Sequence, residues 1–449
     1  MVEKEFSITK MFGIELEFFT LDREGNIVNK ADSIINSLKG RLKRSNITNE
    51  SGQHMLEIMS FPHVSSRQVF KSFLEDVGSL LYESDNNDLR LYNFGTYPQF
   101  NPGKTRTETR YQANEKIRGQ GMKVANNCIG FHYHYSLPRG TFDNSTHFFK
   151  QELNEIRKKK VLNLFNLFIA LDPAVSTFMQ SSPYYEGRYL GKCSRMMVYR
   201  SDAVFNQPEK LFKDYPEFSV LNKYAPNFDV LIDRIIQRSE HWKQLLKEKG
   251  VTYSDYAKKD REASVLDSSW KPVKISSHGT IESRGSDMNS LRNIVGMTSV
   301  MNSISKYVQG NKINVVSSKI GVKEPFKLED NILHVPEHKY VKNILQKNSA
   351  VYGLEDDSIY HYCKAMVKLV KKITPIEARP PLKIFSKMLS ERKTCSDYIV
   401  QEVKKIQGNS ESDFVQPETA KKIALKFSKK IYKDLVLTKK MADKNLMFI

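Results

Sequence analysis

Two short segments near the start of the chain alternate apolar and acidic positions with a period of two. Between residues 12 and 20, apolar side chains alternate with Glu15 and Glu17. Between residues 54 and 59 the same alternation surrounds Glu57. Such alternation is typical of a β-strand that buries one face. Similar patterns predict strands at residues 89–100, 128–136 and 278–285, and a return strand that starts at Ile27–Val28 after a turn at residues 22–26.

Longer stretches of the chain carry apolar residues at helical spacing. Residues 65–83 have such a stripe, and residues 157–180 form a more apolar run that we expect to be a buried helix, bent at Pro173. Further helices are predicted at residues 229–247, 289–308, 360–373, 381–391, 396–406 and 417–437. The fold class is therefore α+β, a mostly antiparallel sheet with flanking helices. We assign residues 1–326 to the sheet domain and residues 327–449 to a helical, lysine-rich C-terminal subdomain.

The composition is that of a globular protein, with 40% hydrophobic and 27% charged residues. The formal net charge of +19 indicates either a nucleic-acid partner or a lysine-rich surface that keeps the protein soluble. The excess is large after residue 340, where lysines between Lys421 and Lys430 recur at helical spacing. This spacing favours a solvated face over a nucleic-acid surface.

The four cysteines are scattered, and none forms a C-x-x-C pair, so neither a disulfide framework nor a zinc knuckle is indicated. A reducing, cytoplasmic setting fits this usage. The apolar stretch of residues 161–171 contains Asn163 and Asn166 and is too short to cross a bilayer. We therefore expect a soluble protein that has no membrane partner.

Several predicted strands carry ionisable residues two positions apart, which places each pair on one face of the sheet. These residues are Glu15 and Glu17, Glu57 with the nearby Glu50, His132 and His134, and Glu282 and Arg284. If the strands adjoin, their polar faces meet in one pocket, where the carboxylates repel one another unless a cation neutralises them. Oxygen ligands with an occasional imidazole suit Mg²⁺ or Mn²⁺. The residue types therefore indicate metal-assisted phosphoryl transfer.

Each of these segments also has an ordinary interpretation. The Glu-x-Glu strand can be a solvated face, and the His-x-His strand can be an exposed polar one. Glu282 and Arg284 can form a surface ion pair, which would contribute only about 0–1 kcal/mol. Their joint occurrence in strands of matching period is what favours a shared site.

The same segments resemble the motifs of the glutamate–cysteine ligase superfamily, especially its second family of carboxylate–amine ligases. Gly13-Ile14-Glu15-Leu16-Glu17-Phe18 resembles G-x-E-x-E-F/W, and Arg110-Tyr111 with Gly130-Phe131-His132-Tyr133-His134 resembles R-Y…G-x-H-V-H. Ser182-Pro183, Gly187 and Arg195 resemble S-P-x-x-x-G…S-x-R, and Trp270 with Gly279-Thr280-Ile281-Glu282-Ser283-Arg284 and Asp287 resembles W…G-T-x-E-x-R-x-x-D. The order holds from about residue 11 to residue 310. The resemblance implies a curved sheet like the catalytic domain of glutamine synthetase.

The resemblance also implies an ATP-dependent, two-step reaction with Mg²⁺ or Mn²⁺. A carboxylate, typically the γ-carboxylate of glutamate, becomes an acyl phosphate, and an amine such as cysteine then displaces phosphate. The implied metal ligands are Glu15, Glu50 and Glu282 on the phosphate side, Glu17 and Glu57 near the acceptor carboxylate, and His132. Arg284 and Arg195 are implied to contact the phosphoryl group or the substrate carboxylate, since guanidinium suits oxyanions. Arg110 and His134 are implied to bind substrate or nucleotide.

The chain departs from the family at one motif, because no arginine follows Trp270 in the family's W-x-x-R-P position. Lys271 or Lys274 would take its place. Two other functions stay open, a metal-dependent phosphotransferase like the guanidino kinases and a non-catalytic basic protein that binds nucleic acid. The chain keeps every acidic position of the family's metal site, which argues against the non-catalytic protein. The amine, the preferred metal and the oligomeric state stay open, with a homo-oligomer as one option.

Overall fold

An antiparallel sheet forms the centre of the protein, which is seen here in a computed structural model that describes residues 10–257, 264–408 and 413–445. In chain order, β1 to β14 span Phe12–Leu21, Asn46–Asn49, Met55–Met59, Arg90–Tyr92, Gly130–Ser136, Phe142–Asp143, Phe148–Phe149, Tyr184–Tyr185, Arg188–Tyr189, Val273–Ser276, Thr280–Asp287, Asn314–Ser317, Lys327–Glu329 and Ile332–Val335. The sheet has the order β10-β11-β5-β1-β3-β2, and β4 also pairs with β1. The predicted strands at residues 12–20, 54–59, 128–136 and 278–285 are thus confirmed as β1, β3, β5 and β11.

Two of the predicted strands are shorter in the structure than the sequence pattern indicated. The predicted strand at residues 89–100 is regular only over β4, because side-chain bonds fix the rest as a loop, such as the one from Thr96 Oγ1 to the Tyr184 carbonyl. The predicted return strand at Ile27–Val28 is reduced to a single bridge between Ile27 and Leu21. That edge of β1 is already occupied by β3 as far as Phe19, which leaves room for little else.

Long helices pack against one side of the sheet, and shorter ones border the cavity on its other side. In chain order, α1 to α16 span Ala31–Leu38, Ser66–Asn86, Thr109–Arg118, Gly121–Asn127, Glu155–Phe178, Ser194–Tyr199, Phe228–Glu248, Tyr253–Tyr256, Leu291–Gly310, Lys319–Lys323, His338–Tyr340, Gln346–Tyr352, Asp357–Ile373, Lys383–Glu391, Cys395–Gln407 and Pro417–Asn445. A π-helix at Val341–Leu345 joins α11 to α12. Short 3-10 turns occupy Ala203–Phe205, Pro216–Phe218, Val265–Asp267, Gly353–Glu355, Ile376–Ala378 and Pro380–Leu382. The predicted helices are confirmed, with boundaries shifted by a few residues.

The apolar face of the sheet packs on these helices because alternate strand residues point toward them. Phe12 stacks near Tyr133 within the sheet and contacts Phe70 of α2, and Tyr133 contacts Phe168 of α5. Helix α5 is long enough to cross a bilayer and contains an 18-residue stretch with a mean hydropathy of 1.5, but 83% of that stretch is buried inside the protein. The helix therefore forms the core layer on one face of the sheet. The other face of the sheet carries polar residues.

The C-terminal helices share this core. Helix α13 packs on α5, and α16 packs on α2 and α9. Ile423, Phe427 and Ile431 on α16 are buried whereas Lys422 and Lys429 are exposed, as expected for an amphipathic helix with a solvated basic face. Strand β12 pairs with β14 across the boundary proposed at residue 327. The division into two domains stays a prediction.

His54, just before β3, is buried in surroundings that suit only its neutral form. Its ring stacks on Phe19 with centroids 5.6 Å apart, and Nε2 lies 2.9 Å from the Asn126 carbonyl oxygen. The other ring nitrogen, Nδ1, has no hydrogen-bond partner among the described residues. Burial lowers the pKa of His54 to about 4; the Asn126 bond opposes this change and nearby Arg106 adds to it.

We expect this residue to make the protein less stable as the pH falls below about 7. An unfolded histidine has a pKa of about 6.5, so at pH 5 the unfolded chain binds a proton that native His54 does not. The resulting loss at pH 5 is about 2 kcal/mol. In His54→Gln, whose amide can still donate to Asn126, the difference in free energy of unfolding between pH 7 and pH 5 should shrink by that amount. An unchanged difference in urea unfolding would show that other groups titrate instead.

Candidate active site

The strand register places the predicted ionisable residues on one face of the sheet. The directly opposed pairs are Glu15–His132, Glu17–Glu57, His134–Glu282 and Glu282–Lys274. Because opposed residues of neighbouring strands point to the same side, five strands contribute to a single polar surface. The face of the sheet that points away from α5 therefore carries the carboxylates and imidazoles that were predicted in pairs from the period-two spacing.

His132 lies at the centre of this surface. Its Nδ1 is 2.9 Å from a carboxylate oxygen of Glu15, and its Nε2 is 3.4 Å from one of Glu17. Nδ1 is also 3.7 Å from Glu57 and 3.9 Å from Glu282. His132 is only 3% exposed, so one buried imidazole contacts carboxylates from three other strands.

The neighbouring side chains are fixed by further hydrogen bonds. His134 Nε2 lies 3.1 Å from the second oxygen of Glu15, and its Nδ1 lies 2.8 Å from Thr280 Oγ1. Glu17 accepts a hydrogen bond from the backbone N–H of Gly130, at the start of β5. These contacts hold the carboxylates in place within a sheet that has little freedom to rearrange.

Two overlapping groups have the composition of divalent-metal sites. Glu15, His132 and Glu282 form one group, and Glu17, Glu57 and His132 form the other. In each group, one ligand atom of every residue lies within 4.8 Å of the others. Carboxylates with an imidazole suit Mg²⁺ or Mn²⁺. Glu50, in the loop before β3, lines the same cavity but belongs to neither group.

The acidic residues differ in their tendency to ionise. Burial raises the pKa of Glu57 well above its usual range, and the charges of Glu15 and Glu50 add to the rise. Burial alone would also raise the pKa of Glu282, but Lys274 and Arg284 hold it at about 2. A bound cation would relieve the repulsion between Glu57 and the neighbouring carboxylates, because a metal neutralises carboxylates that cannot all ionise together.

Glu15 and His134 stabilise each other's charged forms. Burial opposes a low pKa for Glu15, but the charge of His134 and hydrogen bonds from both imidazoles hold it well below its usual range. Burial opposes a high pKa for His134, but the charges of Glu15 and Glu282 raise it. Glu15 and Glu282 are therefore carboxylates that the surroundings keep ionised, whereas Glu57 is one that they disfavour as an anion.

Cationic side chains border the acidic surface in a cavity of about 640 Å³. Lys274 Nζ lies 3.3 Å and Arg284 Nη1 lies 3.4 Å from the carboxylate of Glu282. Arg110 also lines the cavity, with its guanidinium 5.6 Å from the centroid of the Tyr256 ring. A cavity of this size with both signs of charge can hold anionic substrates beside metal ions, since small-molecule pockets measure roughly 300–1,000 Å³.

Arg118 is a cavity residue that the sequence analysis missed. Its guanidinium lies 4.3 Å from the centroid of Trp270 and 4.8 Å from that of Phe212. Its Nε and Nη2 are buried and have no hydrogen-bond partner within the described part of the chain. Arg110, Asn114 and Arg118 are four residues apart on α3 and line the cavity together. This helical spacing is the signal that could have identified Arg118.

Two residues predicted for the site lie outside this cavity. Lys271 donates from Nζ to the Val220 carbonyl at 3.0 Å and lines a second cavity. Arg195 donates to the backbone carbonyls of Ser286 and Arg284, at 3.0 and 3.3 Å. It therefore supports the β-bulge of β11, where the register shifts, and does not line the cavity of the metal-ligand groups. Lys274, by contrast, lines the cavity and contacts Glu282, and its replacement of the family's arginine stays a prediction.

A sequence model described as glutamate–cysteine ligase family 2 matches residues 11–243, more than half of the 449-residue chain. The chain belongs to this family. The resemblance in the motifs around Glu15 and His132 is thereby confirmed. No curated protein sequence gave a significant match.

Solved structures support the fold of this family member. A glutamate–cysteine ligase from Francisella tularensis in complex with AMP is 13% identical, with a TM-score of 0.59, and the match covers 98% of this chain and 93% of that one. A bifunctional glutathione synthetase from Pasteurella multocida is 11% identical, with a TM-score of 0.57, covering 94% of this chain. The chain spans about half the length of the Pasteurella protein, at 53%. The predicted antiparallel sheet with flanking helices and a helical C-terminal region is confirmed.

Proposed function

We propose that this protein uses ATP to join the γ-carboxylate of glutamate, or a similar carboxylate, to an amine through an acyl phosphate. The observation that carries the proposal is the pair of metal-ligand groups that share His132 within one cavity bordered by guanidinium groups. The AMP in the Francisella structure supports nucleotide use on this fold. Cysteine is the default amine on family likeness, and the choice between Mg²⁺ and Mn²⁺ stays open.

The cationic side chains address the main physical obstacle to this reaction, which is the repulsion between ATP and an anionic carboxylate. Arg284 and Arg110 can bind oxyanions through two parallel N–H bonds, whereas Lys274 supplies a point charge. Arg284 is held in the β11 strand beside Glu282, so its position relative to the acidic surface is fixed before substrates arrive. Fixed charges of this kind lower the barrier because they need no reorganisation during the reaction.

In the first step, a carboxylate oxygen attacks the γ-phosphorus of ATP, and the bond to the bridging oxygen of ADP breaks. In the second, the amine nitrogen attacks the acyl carbon, loses a proton and displaces inorganic phosphate. The protein's own residues hold the two anions in line and exclude water from the acyl phosphate.

The donor set fits two divalent ions. Glu15 with Glu282 would hold one ion and Glu17 with Glu57 the other, and His132, whose neutral ring has one nitrogen free to coordinate, would complete the shell of one of them. Glu50 is close enough for its charge to raise the pKa of Glu57. Bound Mg²⁺ or Mn²⁺ would neutralise the phosphate oxygens and the carboxylates around them. A cytoplasmic setting and a homo-oligomeric state stay predictions.

Purified protein with ATP and Mg²⁺ should release ADP rapidly only when a carboxylate and an amine are both present. We expect glutamate with a panel of amines to give the fastest release, because the acyl phosphate turns over only when an amine attacks it. A coupled ADP assay over a matrix of amino acids and amines measures this, and mass spectrometry identifies the amide product. Reactions without Mg²⁺ serve as the control and should be inactive.

Other outcomes of this screen would point elsewhere. Rapid ADP release with a guanidino compound or an alcohol and no carboxylate would favour a phosphotransferase on the same sheet. The non-catalytic alternative would be favoured if no combination released ADP and the protein bound nucleic acid tightly, with a steep dependence on salt. Either result would overturn the proposed ligase reaction.

A further inference from the structure

A second cavity of about 390 Å³ lies beyond β10 and has several basic side chains in its lining. The basic residues are Lys223, Arg234, Arg238, Lys271, Lys274 and Lys342, and the lining includes one carboxylate, Glu217. Helix α7 forms one wall, and the segments around residues 220 and 338 form others. We call this space the basic cavity.

Lys271 is the most unusual residue of the basic cavity. It is only 7% exposed, and the backbone carbonyl of Val220 accepts its hydrogen bond at 3.0 Å. No carboxylate of the described residues lies within salt-bridge distance of its ammonium group. Burial lowers the pKa of Lys271 well below its usual range, and the charge of Arg238 adds to this decrease. A buried ammonium in this position lacks the counterion that such groups normally require.

Of the other five cations, Lys274 and Lys342 pair with Glu282 and Asp202 at 3.3 and 3.4 Å, whereas the remaining three have no ion-pair partner in the described ranges. Arg234 donates to the backbone carbonyls of Lys223 and Tyr224, and Arg238 Nε is buried without a hydrogen-bond partner in the described ranges. Glu217 is already engaged by His241, whose Nδ1 lies 2.8 Å away. Like charges gathered at a concave, partly desolvated surface repel one another and attract an anion.

We propose that the basic cavity is a binding site for a small molecule carrying a phosphate or pyrophosphate group, with Lys271 and Arg238 as its principal contacts. A phosphate-type anion matches the number of cations better than a single carboxylate does, because it brings two or more negative charges. The cavity is larger than the anion alone needs, and Phe165, Leu231 and Ile275 give it an apolar wall for an organic portion. This site is separate from the acidic surface and does not depend on the ligase reaction.

Pyrophosphate binding in metal-free buffer tests the proposal. Lys274 lines both cavities, so metal ions must be absent to prevent the probe from binding through them at the acidic surface. Chelators must also be avoided, because they are polyanions themselves. We expect one saturable site per chain in isothermal titration calorimetry. Lys271→Met should weaken binding at least tenfold, and Arg238→Gln should weaken it in the same direction.

A matched control is Lys247→Met, which removes one positive charge from an exposed position on the same helix as Arg238. Its affinity should equal that of the unmodified protein. Lys271→Met should also raise the melting temperature in phosphate-free buffer, since it replaces an uncompensated buried charge by an apolar side chain, and this shows that the variant is folded. Absence of saturable binding, or an equal effect of Lys247→Met and Lys271→Met, would overturn the proposal. Tighter binding of citrate than of pyrophosphate would overturn the assignment to phosphate.

Discussion

Glu282→Gln is expected to lower Mg²⁺-dependent ADP formation by at least about 10²–10³-fold while the protein stays folded. The substitution keeps the shape of the side chain but removes the charge of a residue that belongs to one metal-ligand group. It also removes the anion that Lys274 and Arg284 contact at 3.3 and 3.4 Å. Initial rates at saturating ATP, carboxylate and amine measure the effect, and circular dichroism checks the fold.

Glu329→Gln is the matched control for this experiment. Glu329 also lies on a strand, β13, and forms a surface pair with Lys327 at 3.3 Å, but it lines neither cavity. Removing this charge should change ADP formation little, because surface pairs contribute about 0–1 kcal/mol and the residue does not line the cavity of the acidic surface. Near-normal turnover in Glu282→Gln would contradict the assignment of Glu282 to the metal site, even if the ligase reaction itself were established.

The sheet and most of its polar surface could be predicted because a strand has a fixed side-chain period. Glu15 and Glu17 had to share a face, and so did His132 and His134, whatever the neighbours of each strand were. The order of the strands in the sheet does not follow from the side-chain period. It took the family motifs, in their sequence order, to suggest that β1, β3, β5 and β11 adjoin, and the register then aligned Glu15 with His132.

The cationic part of the site was harder to predict, because its residues come from several kinds of element. Arg118 sits on a helix and owes its position to packing between Trp270 and Phe212, which are distant in sequence. Lys271 and Lys274 are three residues apart, yet one faces away from the acidic surface and the other contacts Glu282. The first residue of a strand determines which of its side chains enter the cavity. The position of that first residue depends on tertiary contacts.

The buried ion pair between Asp172 and Arg200 links this fold to its active site. Arg200 Nη1 lies 2.6 Å from one carboxylate oxygen of Asp172 and Nη2 lies 2.9 Å from the other, and both side chains are at most 2% exposed. The same guanidinium donates to Gln346 at 2.8 Å and to the Gly285 carbonyl at 3.4 Å. One side chain thereby connects α5, the α12 region and the bulged strand that carries Arg284.

Asp172→Asn is expected to lower the free energy of unfolding by about 3–5 kcal/mol. The amide cannot compensate the charge of Arg200, which stays buried without a counterion. Arg200→Met should have an effect of similar size, because it leaves the carboxylate of Asp172 uncompensated. Urea unfolding followed by fluorescence of Trp242 and Trp270 measures both. A loss below about 1 kcal/mol in both variants would show that the pair is not the buried, desolvated contact described here.

The double variant Asp172→Leu/Arg200→Met separates the contribution of this pair to stability from its contribution to activity. Replacing a whole buried ion pair by apolar residues is often neutral or stabilising, so the double variant should be more stable than either Asp172→Asn or Arg200→Met. It cannot restore the hydrogen bond to Gly285, next to Arg284 in the bulge. We therefore expect it to fold well and still to lose ADP formation mainly through kcat, because Arg284 is no longer held in its position. If stability and kcat both recover, the pair supports only the fold, and the bulge positions Arg284 without it.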